Sequence, residues 1–149
     1  MNDLEKAKNL LKSKQYTFVA LTNGKIIKTS HKKGIMPLLE IIRDNQDILE
    51  EAVIADKVIG KAAALLAAGY KVKQIYTELL SQKAKEVLDH YSIFYQYDKY
   101  VNYIRNRNNT GQCPMEKLTQ SINDPKIAHS RILQYYKEVL KVDLSKIEN

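Results

Sequence analysis

The sequence predicts a two- or three-layer α/β domain whose mixed sheet carries an antiparallel β-hairpin at one edge. Three observations carry this. An Asn23-Gly24 turn separates two β-prone runs, the strongest short-range hairpin signal. The middle of the chain alternates between helical and strand patterns, which implies parallel pairing through right-handed crossovers. The 149 residues, 44% apolar and 28% charged, have the size and composition of one globular domain.

The elements follow in order. Leu4, Ala7, Leu10 and Leu11 recur at helical spacing between lysines, predicting an amphipathic helix from Asp3 to Lys14 with Asp3 as its N-cap. Tyr16 to Leu21 and Lys25 to Thr29 form the hairpin. Gly34 to Asn45 is a second helix, with Pro37 near its front, where a missing N–H is tolerated. Asp56 to Ala68, alanine-rich and followed by Gly69 at the C′ position, is a third and central helix. Val72 to Leu80 reads as a strand, Gln82 to His90 as a helix and Ser92 to Tyr97 as a strand. Asn102 to Gln112 is a polar loop, Pro114 to Ile122 a short helix and Lys126 to Val142 a last amphipathic helix, with 126–149 as a C-terminal extension.

Composition narrows the function classes. The longest apolar stretch, Ala62 to Ala68, is far short of the ~20 residues of a membrane span, and the N-terminus lacks signal-peptide order, so a cytoplasmic protein is expected. A single cysteine makes no internal disulfide or Cys-x-x-Cys clamp. The three histidines fall in no metal spacing, and neither a metal nor another cofactor is expected. No glycine-rich phosphate loop, Gly-x-Ser-x-Gly elbow or kinase signature is present. The net charge of +7 favours phosphate-bearing partners, but the lysines are dispersed and do not alternate with aromatics as a nucleic-acid groove requires. Five of the ten tyrosines, Tyr91, Tyr95, Tyr97, Tyr100 and Tyr103, cluster around the last strand, either to stack a base or as half-buried sheet and interface residues, and a small domain with an exposed sheet edge or many tyrosines suits a homo-oligomer.

Two segments carry candidate chemistry. In Ala55-Asp56-Lys57-Val58-Ile59-Gly60-Lys61-Ala62-Ala63-Ala64, Asp56 would cap the third helix while Lys57 and Lys61 project from one face beside its positive end. That arrangement would hold a phosphate or carboxylate, with Gly60 leaving room for close approach; its bland alternative is a plain cap with solvated lysines. In Thr110-Gly111-Gln112-Cys113-Pro114-Met115-Glu116, Cys113 sits at a helix start, where a thiol is activated, or serves as a small apolar filler. Glu116 reads as a capping residue or a base. Asn106, Arg107 and Thr110 offer a guanidinium fork and polar groups to a planar or anionic ligand, or else satisfy turn geometry.

These two segments, with Asn106-Arg107 between them, resemble an uncharacterised prokaryotic family with a cytidine-deaminase-like fold, over a stretch from about Leu4 to Asp124. The resemblance implies a three-layer domain with the order of elements given above, and a cleft lined by Asp56, Lys57, Lys61, Cys113 and Glu116. Deaminases of this kind hold zinc with a His-x-Glu at one helix start and a Pro-Cys-x-x-Cys at the next. Here Asp56-Lys57-Val58 stands in place of the first, and Leu79-Leu80-Ser81-Gln82 enters the following helix without cysteine. The expected function is therefore a metal-independent enzyme acting on a small nucleotide-like or phosphorylated metabolite, with Cys113, Asp56, Lys57 and Glu116 catalytic and Lys61, Asn106, Arg107 and Thr110 binding. The alternative is a non-catalytic ligand-binding or sensor module.

Overall fold

A computed structural model describes residues 1–105 and 111–141. Helix α1 (Asp3–Ser13) leads into strands β1 (Phe18–Thr22) and β2 (Lys25–Ser30), which form the expected hairpin. Asn23 and Gly24 both take positive φ in its two-residue turn. Then come α2 (Met36–Asn45), a 3₁₀ turn (Gln46–Leu49), β3 (Val53–Ile59), α3 (Lys61–Gly69), β4 (Gln74–Ser81), α4 (Gln82–His90) and β5 (Phe94–Val101). Helices α5 (Pro114–Leu118) and α6 (Pro125–Glu138) close the described chain.

The five strands lie in the order β2-β1-β3-β4-β5. β1 is antiparallel to β2 and β3, whereas β3, β4 and β5 run parallel, joined by α3 and α4. Helix α1 covers one face through Leu4, Ala7 and Leu11 against Val19, Leu21, Val53, Ala55 and Tyr76. The larger core lies on the other face, under α2, α3 and α4. This is the three-layer α/β/α arrangement with a mixed sheet. Helix α3 is buried all round, from Lys61 to Ala67, because the sheet lies beneath it and Ala128, Ile132 and Tyr136 of α6 belong to the same core.

Several expectations need correction. Residues 53–59 are a central strand, not the start of a helix, so Asp56 caps nothing at a helix end and Lys57 and Lys61 do not share a helix face. The strand was masked because Val53, Ile54, Val58 and Ile59 form a nearly continuous apolar run broken by Asp56-Lys57, and a strand buried on both faces shows no alternation. The N-cap of α1 is Asn2, whose side chain accepts from the Glu5 N–H, not Asp3. Gly69 is the last residue of α3 and lacks a positive φ; a Cβ there would stand 2.9 Å from Pro125 Cβ, so this glycine admits the start of α6. β5 runs on to Val101, α5 stops at Leu118, and Asp124 caps α6 by accepting from the N–H groups of Lys126 and Ile127.

Candidate functional site

In a sheet of this kind the rim where parallel strands hand over to helices is the place where ligands bind. Here that rim is formed by Gly60, between β3 and α3, and Ser81, between β4 and α4. Gly60 is the N-cap of α3 and has no side chain with which to accept the first N–H groups. Such orphan donors need a partner.

The partner is Glu116, which is 3% exposed. Its Oε2 accepts from the Lys61 N–H at 3.1 Å and from Ser81 Oγ at 2.9 Å, and its Oε1 accepts from the Ile104 N–H at 2.6 Å. Ser81 in turn accepts from the Ala84 N–H at 3.1 Å, capping α4. One carboxylate from α5 thus bridges the starts of α3 and α4 and holds the chain beyond β5. The Cys113 N–H donates to the Ile104 carbonyl at 2.6 Å, so Ile104 is gripped on both backbone groups by the Cys113–Glu116 segment. Arg105 and Gln112 form a bridge beside it.

Lys61 completes the clamp. Its Nζ donates to the Gln120 carbonyl at 3.0 Å, tying the residues after α5 to the same helix whose first N–H Glu116 holds. Lys61 is buried, and desolvation, helped by nearby Lys83, moves its ammonium below the usual lysine value against the opposing pull of Glu86 and Glu116. Gly60 is required by this packing. A Cβ there would lie 3.1 Å from Glu116 Cγ and 3.3 Å from its Cδ.

Asp56 lies elsewhere, in the middle of β3 on the α3 side of the sheet, paired laterally with Phe18 of β1 and Thr77 of β4. It is roughly 13 Å back along the strand from the N-cap of α3, at ~3.3 Å per residue. Its Oδ1 accepts from the Val58 N–H at 3.3 Å, and Thr77 Oγ1 accepts from the Leu79 N–H at 3.3 Å. Lys57 and Glu78 fall between these pairs and the pairing resumes at Val58 and Leu79 in the same register, but Ile54 with Ile59, and Ile75 with Leu80, face one core although five residues apart, so the alternation of faces slips by one residue in both strands. Burial drives the Asp56 carboxyl well above the usual carboxylate value, opposed by its bonds to the Val58 and Lys57 N–H groups.

Of the predicted site residues, the structure brings Lys61, Cys113 and Glu116 into one cluster with Gly60, Ser81 and Ile104. It leaves Asp56 in mid-sheet and Lys57 exposed on β3. Asn106, Arg107 and Thr110 lie outside the described residues. Cys113 is half-buried at the N-cap of a helix of five residues. Sequence reasoning missed Ser81, although Ser81 followed three residues later by Ala84 at the end of an apolar run is an N-cap signal.

The zinc of a deaminase would need histidine or cysteine ligands at these two helix starts. The residues present are Gly60, Lys61 and Ala62 at one and Ser81, Gln82, Lys83 and Ala84 at the other, and the nearby carboxylate has both oxygens engaged. This donor set does not fit zinc. Among the described residues no three His, Cys, Asp or Glu side chains form a group able to hold a metal, and no helix is long and apolar enough to cross a membrane.

The fold and the carboxylate-bridged helix starts define a three-layer α/β/α domain with an internally closed rim. Residues 6–136 match the profile described as a domain of unknown function, DUF1893 (TM1506), and the chain belongs to that family. The crystal structure of a DUF1893 family protein, TM1506 from Thermotoga maritima, is similar, with a TM-score of 0.82 and 25% identity over 90% of this chain and 91% of that one. No curated protein matches.

Proposed function

We propose that this chain is a metal-independent, small-ligand binding domain on a deaminase-like framework, in which Glu116 stands where such a framework would otherwise place a metal between two helix starts. The observation that carries this reading is the Glu116 bridge. It gives the helix starts of α3 and α4 an anion from within the chain, keeps the rim shaped, and leaves neither a metal-ligand set nor a free acid there. The ligand class is a nucleoside, nucleotide or phosphorylated metabolite, favoured by the net charge of +7 and held at the rim beside Cys113, with Lys57 as the exposed cation of β3. Binding without turnover fits the place of Asp56 inside β3, outside the bridge that Glu116 makes to Lys61, Ser81 and Ile104.

A second reading, catalysis with Cys113 as nucleophile and Asp56 as proton carrier, is favoured by one observation. Burial raises the Asp56 carboxyl well above the usual carboxylate value, and an acid whose proton is held more tightly than a free carboxyl's is a candidate proton carrier. That reading requires turnover, which the first does not.

The test is a thermal-shift screen of the full chain against nucleosides, nucleotides, phosphorylated sugars and zinc, before and after alkylation of Cys113. A shift with one metabolite class that alkylation abolishes is expected, equivalent to about 2.7 kcal/mol at 100 times the dissociation constant. No shift with any metabolite, or a shift with zinc alone, overturns the proposal.

A further inference from the structure

β5 is an edge strand, and among the described residues no strand pairs with its outer side. It is also the most aromatic surface of the domain. Phe94 is 53% exposed, Tyr97 43%, Tyr100 42% and the following Tyr103 40%. Soluble proteins cover or blunt edges of this length, or use them.

The two faces of β5 are distinct. Tyr95, Tyr97 and Tyr100 pair with Ile75, Thr77 and Leu80 of β4, on the α4 side. Their rings form a row, with centroids 6.3 Å apart for Tyr95 and Tyr97 and 5.9 Å apart for Tyr97 and Tyr100. Asp98 lies on the α1 side, where it accepts from Tyr76 Oη and meets Lys12 Nζ at 3.0 Å, and its side chain remains 41% exposed. Lys99 pairs with Leu79, next to Leu80, and so falls on the α1 side as well. Ile75 and Leu80 of β4 face the same core although five residues apart, so the alternation of faces slips by one between them, and in the paired stretch of β5 the consecutive residues Asp98 and Lys99 fall on one face.

That irregularity makes the edge complementary to itself. A two-fold axis normal to the sheet keeps each face on its own side and reverses strand direction. Centred between Asp98 and Lys99, it sets Asp98 opposite Lys99 of the second copy, twice, and Tyr97 opposite Tyr100 of the second copy, twice. Phe94 then meets Tyr103. Charges that would protect an edge against a foreign strand therefore attract across this one.

We propose that the free edge of β5 is a docking surface for a second copy of this chain, joined antiparallel into a ten-stranded sheet about the Asp98–Lys99 step. Four rings that each keep about two fifths to a half of their surface in water hide roughly 300–400 Å² per copy, about half of the ~800 Å² per partner of a standard interface. Backbone pairing supplies the rest. The inference is independent of the ligand reading.

Sedimentation velocity of the full chain over about 1–500 μM tests it. A reversible monomer–dimer equilibrium is expected, weakened about tenfold or more by Lys99→Asp, which sets like charges opposite each other twice, and by Tyr100→Ser. Asp98→Lys also weakens self-association. Mixing Asp98→Lys with Lys99→Asp restores a heterodimer, because each mixed pair is again opposite in charge; the unchanged circular dichroism of Lys99→Asp, an exposed residue, separates this from misfolding. A monomer at every concentration, as when another segment covers the edge, overturns the proposal. So does a dimer that is insensitive to Lys99→Asp and Tyr100→Ser.

Discussion

Replacing Glu116 by glutamine changes one oxygen for an NH₂ and removes one charge, and the structure makes the consequence calculable. As the carboxylate, the side chain accepts at Oε1 from the Ile104 N–H and at Oε2 from the Lys61 N–H and Ser81 Oγ. All three partners donate to it. An amide has one acceptor oxygen, so in either orientation its NH₂ faces a donor and leaves at least one buried N–H unpaired, at about 1–3 kcal/mol. Loss of the negative charge at the start of α3 removes about 0.3–1 kcal/mol more, and up to ~2 in a partly buried setting. The expected destabilisation of Glu116→Gln is about 2–4 kcal/mol, equivalent to a fall in Tm of roughly 6–12 °C for a chain of this size. Denaturant unfolding at neutral pH measures it, with Glu86→Gln as the control: Glu86 is an exposed member of an i,i+3 pair at 3.6 Å, and its loss is expected to be within about 0.5 kcal/mol of neutral. A Glu116→Gln protein within 0.5 kcal/mol of the parent would refute the bridge as a source of stability.

Two further outcomes follow from the same geometry. Gly60→Ala places a Cβ 3.1 Å from Glu116 Cγ and 3.4 Å from Oε2, against a side chain fixed by three donors, and is expected to lose about 1–3 kcal/mol in denaturant unfolding. Combined with Glu116→Gln its effect should be less than additive, since the obstacle is then loosened, and strict additivity would count against the contact. Asp56→Asn retains an oxygen for the Val58 N–H and removes the ionisation. Because burial raises the folded carboxyl above its unfolded value, the native state binds more protons between the two, and the stability of the parent falls as pH rises through that window. The variant lacks this slope, so its stability relative to the parent should climb from about pH 4 upward; a difference constant with pH would contradict the raised carboxyl.

Much of the fold was legible because local signals agreed with tertiary ones. The Asn23-Gly24 turn, the amphipathic α1 and the Gln82–His90 helix each carry their own pattern. What was not legible is the central strand. Its neighbours cover most of both faces, so periodicity gave nothing, and Asp56-Lys57 reads as the polar start of the alanine run although both lie inside β3. Lys61 and Glu116, one from each motif, do meet in the structure, through a contact the sequence does not announce. Sequence reasoning placed an outside anion at a helix start and a separate acid in the other motif. The structure shows one anion serving as both, and the 55-residue separation of Lys61 from Glu116 is the kind of pairing that no local pattern reports.

If the helix starts demand an anion, the demand should survive removal of the one the chain supplies. Glu116→Ala deletes a fragment with the shape and charge of acetate and leaves the Lys61 N–H, the Ser81 hydroxyl and the Ile104 N–H directed at the space. Those are the donors an anion site at a helix start uses. The variant should lose about 3–5 kcal/mol and regain part of it in acetate or formate, more than in chloride at equal ionic strength, with a gain that saturates as a single site would. Gly60→Ala in the same background should blunt the rescue, because its Cβ intrudes where Cγ and the carboxylate of Glu116 had been. Equal stabilisation by acetate and chloride would mean that Glu116 holds the rim by packing alone, and that the polarity of the two helix starts has no part in it.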